Sequence, residues 1–361
     1  MVYIGVDLHR KTTQVAAVNG GGELLVNRKV PTSGPDILRV FGEVVAEATP
    51  TAVAFEATFG WGWFADLLRD AGIEVHMAHP LATKAIANAR VKNDAVDAKT
   101  LAHLLRAGML PEAWAAPLEV REARRLVRMR TSLVRMRSRI RAQVHAVLAE
   151  HGVATPMSDL FGKEGRRLLE ELRLPELSQG RLEACLRLID DLGKEIEIAD
   201  TEILARFETD PRTRRLLPIP GIGPTIAAIL LAEVWDVSRF PSAEHLCAWA
   251  GLTPTERSSA DHTRRGHISK QGSRWLRWVM VEAAVRALGN PQLGVFYTSI
   301  EKRRGSKIAR VALARRLLTL AYYALRDEGG CRAFPVPTEI PRGRARSLID
   351  MASRGTAAIA D

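Results

Sequence analysis

Strand-like patterning is confined to the first third of the chain, and helical patterning takes over beyond about residue 113. Such a chain folds as an α/β layer domain followed by helical segments, not as one continuous sheet protein. Residues 2–6 and 13–18 are short apolar runs, and a third, 23–30, follows Asn19-Gly20-Gly21-Gly22, which reads as a three-stranded meander. Residues 35–48 carry Ile37, Leu38, Val40, Phe41, Val44 and Val45 at helical spacing. A buried-strand pattern at 51–55, a helix at 61–71, a strand at 73–77 and a largely helical stretch at 81–105 complete the order βββαβαβα.

From Leu126 a heptad can be written with Leu126, Leu133, Ile140 and Val147 at a and Met129, Met136 and Gln143 at d. This predicts a long helix with a coiled-coil seam and a route to self-association. Breaks near 152–156 and 175–180 separate further helices, and Asp210-Pro211 opens a new segment. The expected organisation is an α/β domain over 1–112, a helical coiled-coil segment over 113–207, a mostly helical domain over 208–327 and a disordered tail over 328–361.

Charge narrows the partners. The 52 Lys and Arg against 41 Asp and Glu leave a net +11, which points to a polyanion, with nucleic acid foremost. Between residues 119 and 141 nine arginines face only Glu119 and Glu122. A solvated helix needs fewer cations than this, so Arg121, Arg124, Arg128, Arg135 and Arg139 are read as a phosphate-tracking surface. The longest uncharged run, 216–232, is broken by Pro218, Pro220 and Pro224 and makes a poor membrane span. The N-terminus reads as a strand, not as a signal peptide, so a cytoplasmic location is expected. Cys185, Cys247 and Cys331 are spaced for neither a disulfide framework nor a zinc site, and buried reduced thiols are expected.

Four acids fall at positions where chemistry can gather. Asp7 ends the first strand, Glu56 ends the strand at 51–55, and Asp94 and Asp97 stand three apart on one helical face. Any one of them alone is more often a turn or solvated residue. As a set at one end of a sheet, they are the oxygen ligands that Mg²⁺ needs to neutralise phosphate. The same layout occurs in actin-like ATPases, but no GxxxxGK loop is present.

Further along, 216–231 reads as a helix-hairpin-helix element whose Gly221 and Gly223 turn offers backbone N–H groups to a DNA phosphate. Residues 256–277 then hold Arg257, Arg264, Arg265, Lys270, Arg274 and Arg277 around Ser258 and Ser259. Of these, Arg264, Arg265, Lys270 and Arg274 are candidate nucleic-acid contacts. A loop serine pair is ordinarily a turn or cap. Among cations it is also a candidate phosphoryl-transfer nucleophile.

GVDLHRK at 5–11, AFEATFGWGW at 54–63, KNDAVDAKTLA at 92–102, LLPIPGIGP at 216–224, AGLTP at 250–254 and SSADHTRRGHISKQGSRWLR at 258–277 resemble, in order, the motifs of the DEDD-type IS110-family insertion-sequence transposases, which are bridge-RNA-guided serine recombinases. The resemblance implies a RuvC-like, RNase-H-like N-terminal domain with Asp7, Glu56, Asp94 and Asp97 as Mg²⁺ ligands and catalytic acids. It also implies a dimer or tetramer joined through the coiled coil, and a C-terminal transposase domain with a nucleophilic serine. Donor and target double-stranded DNA and a noncoding bridge RNA are the implied partners, in a bacterial, nucleoid-associated setting. Ser259-Ala260 stands where the family usually has Ser-Gly, so Ser259 aligns with the nucleophile and Ser258 is the fallback. Two other readings stay open from the residues: a Mg²⁺-dependent Holliday-junction-type nuclease in which water attacks, and a non-catalytic architectural protein.

Overall fold

The computed structural model describes residues 1–45, 50–86, 93–259 and 262–336, with the side chains of 257–259 and 262–265 outside the described residues. Two compact units divide the chain, Met1–Arg121 and Glu122–Asp361. The division falls within the helix Leu118–Glu150.

The first unit runs β1 (Val2–Leu8), β2 (Thr12–Asn19), β3 (Leu24–Pro31), α1 (Gly34–Val44), β4 (Thr51–Glu56), α2 (Trp61–Asp70), β5 (Glu74–Ala78), α3 (Pro80–Ile86), α4 (Asp94–Arg106) and β6 (Glu112–Ala113). The sheet order is β3-β2-β1-β4-β5-β6. The meander is antiparallel, β1, β4 and β5 run parallel, and β6 returns antiparallel. The strand Glu112–Ala113 had no signal in the sequence, because two residues carry no period.

Alternation along β1 sends its side chains to two layers. Val2, Ile4, Val6 and Leu8 join Val53 and Phe55 of β4 against Ile37, Phe41, Phe64 and Leu68 of α1 and α2. The opposite face carries small residues, with Ala52, Ala54 and Ala78 beneath Leu101 and Leu105 of α4. Gly5 belongs to this second face. A Cβ there would stand 1.9 Å from the Ala98 carbonyl oxygen and 2.6 Å from the Ala102 nitrogen, so α4 rests directly on the backbone of β1. Asn93 caps α4 by accepting from the Val96 N–H at 2.8 Å, and Asp94 and Asp97 occupy the first turn, where the helix dipole favours negative charge.

The second unit contains α5 (Leu118–Glu150, begun before the boundary), α6 (Lys163–Glu171), α7 (Glu176–Phe207), α8 (Pro211–Leu216), α9 (Pro224–Val234), α10 (Ala243–Trp249), β7 (Pro254–Ser259), β8 (His262–Ile268), α11 (Arg274–Arg286), α12 (Pro291–Arg304), α13 (Ser306–Arg326), β9 (Gly330–Cys331) and β10 (Phe334–Pro335). Helix α9 lies at the centre of its core, with every residue from Ile226 to Val234 buried, packed among α10, α11 and α13.

Three expectations need correction here. The long helix forms, and Leu126, Ile140 and Val147 at the a positions face cores, but the d positions Met129, Met136 and Gln143 are exposed, so the buried seam is not the a/d seam written from Leu126. Ala123 and Val127 pack with Ile203 and Phe207, Arg130 pairs with Asp200, and Val144 and Leu148 pack with Leu182, Cys185 and Ile189. Helices α5 and α7 therefore form an antiparallel hairpin within the chain, while Met129 and Met136 are each 49% exposed. The heptad was displaced because 3/4 spacing of apolar residues can be started at more than one position, and alanine and arginine stems fill the real seam. Strands also recur after residue 113, since 254–268 form the β7–β8 hairpin. Finally, the segment read as a tail from Glu328 begins with the paired strands β9 and β10, and Cys331 is buried. Residues 337–361 lie outside the described residues.

A candidate carboxylate and metal centre, and a basic helical surface

Strand register builds the site before any side chain is considered. Asp7 is paired with Gln14, and Gln14 with Lys29. On the other side of β1, Val6 is paired with Phe55, so Asp7 and Glu56 follow as the next neighbours. Lys29, Gln14, Asp7 and Glu56 thus form one row across four strands. Neighbours in register point to the same face, and this is the face of Gly5 and Ala54 on which α4 rests. The row accordingly faces the first turn of α4.

The Asp7 Oδ2 and His9 Nε2 atoms are 3.1 Å apart. His9 Nε2 lies 3.5 Å from Asp94 Oδ1, and Lys29 Nζ donates to Asp94 Oδ2 at 2.8 Å. Asp7, His9 and Asp94 offer ligand atoms all within 4.8 Å of one another. Burial raises the Asp7 carboxyl above its ordinary value; His9 opposes this, while the negative charges of Asp94 and Asp97 add to it. Asp94 is held below its ordinary value by the Lys29 hydrogen bond and charge, against a smaller effect of burial. Of the four predicted acids, Asp7 and Asp94 come together, Asp97 lies within electrostatic reach of Asp7, and Glu56 shares the row. Thr58 ties the following loop back to β1 by donating to the Leu8 carbonyl at 3.2 Å.

Carboxylate oxygens and an imidazole nitrogen converging on one point are a donor set that fits a divalent cation. Sequence reasoning had missed His9 and Lys29 as members of this set. His9 sits two residues beyond Asp7, past the strand end, where period-2 alternation stops applying. Lys29 is brought in only by the sheet order.

On the basic helix, Arg121, Arg124 and Arg128 make bonds within the protein, and Arg128, 38% exposed, also reaches the groove lined by Arg135 and Arg139. Arg121 is buried against Asp66 and donates to the Ala116 carbonyl. Arg124 donates to the carbonyls of Ala232 and Glu233. Arg128 makes a two-pronged bond to the Glu233 carboxylate, at 2.8 and 3.0 Å. Glu233, fully buried, also accepts from Ser273 Oγ at 2.9 Å. Arg135 and Arg139 do face solvent. With Arg125, Arg274 and Trp275 they line an open groove of about 500 Å³. The Arg135 guanidinium stands 4.9 Å from the ring centres of both Trp275 and Trp278.

Gly221 is required by packing, since a Cβ would lie 2.2 Å from the Ala283 carbonyl oxygen and its φ is +83°. Gly223 caps α9 and has open space around it. Ser259 ends β7 opposite His262 in the hairpin register, and Ser258 is opposite Thr263. The side chains of both serines, and of Arg264 and Arg265, lie outside the described residues. Lys270 is exposed, with a φ of +54°.

Residues 4–152 match the DEDD transposase family of IS110, and residues 213–298 match the family described as transposase IS116/IS110/IS902. A putative transposase, y4pF/y4sB, of Sinorhizobium fredii is 28% identical over 330 residues, covering 89% of this chain and 83% of that protein. The insertion element IS110 uncharacterized 43.6 kDa protein of Streptomyces coelicolor is 26% identical, covering 90% of this chain and 94% of its own length. The transposase for insertion sequence element IS1111A of Coxiella burnetii is 24% identical, covering 87% and 86%. An α/β unit with clustered acids, joined to a second transposase-type unit, defines the class as an insertion-sequence transposase, a DNA-processing enzyme. Within that class the chain belongs to the IS110 family. No helix among the described residues is long and apolar enough to cross a membrane.

Proposed function

We propose that the chain cuts and rejoins donor and target DNA through a covalent serine intermediate, at sites chosen by a noncoding bridge RNA, working as a homo-oligomer. The observation that carries the metal-dependent part of this reading is the row Lys29, Gln14, Asp7, Glu56 facing Asp94 and Asp97 across the Gly5 contact. Mg²⁺ held by Asp7, Glu56, Asp94 and Asp97 would offset phosphate charge and orient the reacting oxygens. Lys29 keeps Asp94 ionised and fixes one of its oxygens.

The serine step is drawn from the family motif at 258–277. Ser259 Oγ bonds to a DNA phosphorus, and the bond from phosphorus to the 3′ oxygen breaks. The proton lost by the serine is balanced by one gained at the free 3′ hydroxyl. The exchanged 3′ hydroxyl then reverses the step, so no ATP is required. Arg135, Arg139, Arg274 and Lys270 supply exposed positive charge for nucleic-acid backbone.

A suicide-substrate reaction with Mg²⁺, donor and target DNA and the element's flanking RNA tests this reading. A protein–DNA adduct mapped to Ser259, and lost in both Ser259→Ala and Asp7→Ala, is the expected outcome. Cleavage that persists in Ser259→Ala without an adduct would replace it with the water-dependent nuclease reading. Metal-independent binding without either product would favour an architectural role.

A further inference from the structure

We infer that His9 is itself a ligand of the carboxylate centre, through Nε2, and that the centre therefore takes Mn²⁺ in preference to Mg²⁺. The inference rests on the reading that Asp7 and Asp94 hold a divalent cation, and it concerns which cation and which additional donor.

Geometry carries it. In an octahedral site with donors about 2.1 Å from the ion, cis donors stand about 3.0 Å apart and trans donors about 4.2 Å apart. The Asp7 Oδ2 to His9 Nε2 distance of 3.1 Å and the His9 Nε2 to Asp94 Oδ1 distance of 3.5 Å are close to cis edges. The three donors already sit within 4.8 Å. Lys29 occupies the other oxygen of Asp94, Oδ2, which leaves Oδ1 as the oxygen turned toward His9. The same nitrogen faces carboxylates from two elements, so a cation bound between them would meet all three donors.

Donor chemistry then sets the preference. Mg²⁺ is held almost wholly by oxygen and keeps several waters; Mn²⁺ shares the preference for oxygen-rich sites but, as a first-row transition ion, accepts one imidazole nitrogen more readily than Mg²⁺ does. A nitrogen in this position moves the centre from indifference toward Mn²⁺ without excluding Mg²⁺.

The test is pulsed EPR of the full chain loaded with Mn²⁺, together with Mn²⁺ titration and Mg²⁺ competition, on the unaltered protein, His9→Gln and Asp7→Asn. The expected result is ¹⁴N modulation of a directly bound imidazole that disappears in His9→Gln, with Mn²⁺ affinity falling about tenfold and Mg²⁺ affinity changing much less. The His9 side chain is half exposed, so the variant is expected to fold, and an unchanged melting temperature confirms it. Modulation absent from the unaltered protein, or persisting in His9→Gln, overturns the assignment while Asp7-dependent Mn²⁺ binding keeps the carboxylate centre. Mn²⁺ binding that is indifferent to Asp7→Asn overturns both.

Discussion

The buried Glu233 illustrates how one residue can redirect several charges. It is the one charged residue of helix α9, and Arg128 and Ser273 meet its carboxylate. Part of the excess of arginine on α5 thereby becomes a device for joining α5, α9 and the start of α11, because a buried charge must find partners. Asp210 plays a comparable local part at the start of α8. Burial alone would raise its carboxyl, but the side-chain and backbone donors of Arg212 outweigh burial, and the group ends below its ordinary value. A carboxyl whose folded value is depressed adds stability above its unfolded value of about 3.9, and loses it as pH falls through the folded value. Asp210→Asn should therefore flatten the acid limb of a stability curve measured by urea melts between about pH 5 and pH 2, and leave the neutral limb parallel to that of the unaltered protein.

At the scale of elements, the seam between α5 and α7 separates two classes of apolar residue. Leu148 is buried in it, and Met129, on the heptad written from the sequence, is not. Leu148→Ala should cost about 2–5 kcal/mol and Met129→Ala no more than about 0.5 kcal/mol, both read from denaturant midpoints; equal costs would contradict the seam. The first unit was legible element by element, since Val2–Leu8, Thr12–Asn19 and Thr51–Glu56 each carry an apolar run and Glu74–Ala78 alternates Val75 and Met77 with Glu74 and His76. The β7–β8 hairpin was not, because 254–268 is polar and basic with neither apolar period. The acids were found from their places at strand and helix ends. Their companion Lys29 became visible only once β3, β2, β1 and β4 were in order, a fact of pairing that no local pattern contains.

At the scale of the whole molecule, net charge identifies a kind of partner but not the residues that meet it. Arg121 and Arg135 contribute equally to the +11 of the chain, yet one is buried on Asp66 and the other stands exposed over two tryptophans. Arg135→Ala should weaken nucleic-acid binding and reduce the slope of log affinity against log salt by about 1, whereas Arg121→Ala should lower the melting temperature and leave that slope unchanged. Fluorescence anisotropy across a salt series separates the two, and a slope change in Arg121→Ala would return that residue to the interface. The acids have an analogous silent partner in Gly5. With no functional group of its own, it lets one backbone lie on another, and that contact sets how far Asp94 and Asp97 stand from Asp7. A lineage that lost this glycine would lose the dimensions of its carboxylate centre before it lost any of the acids.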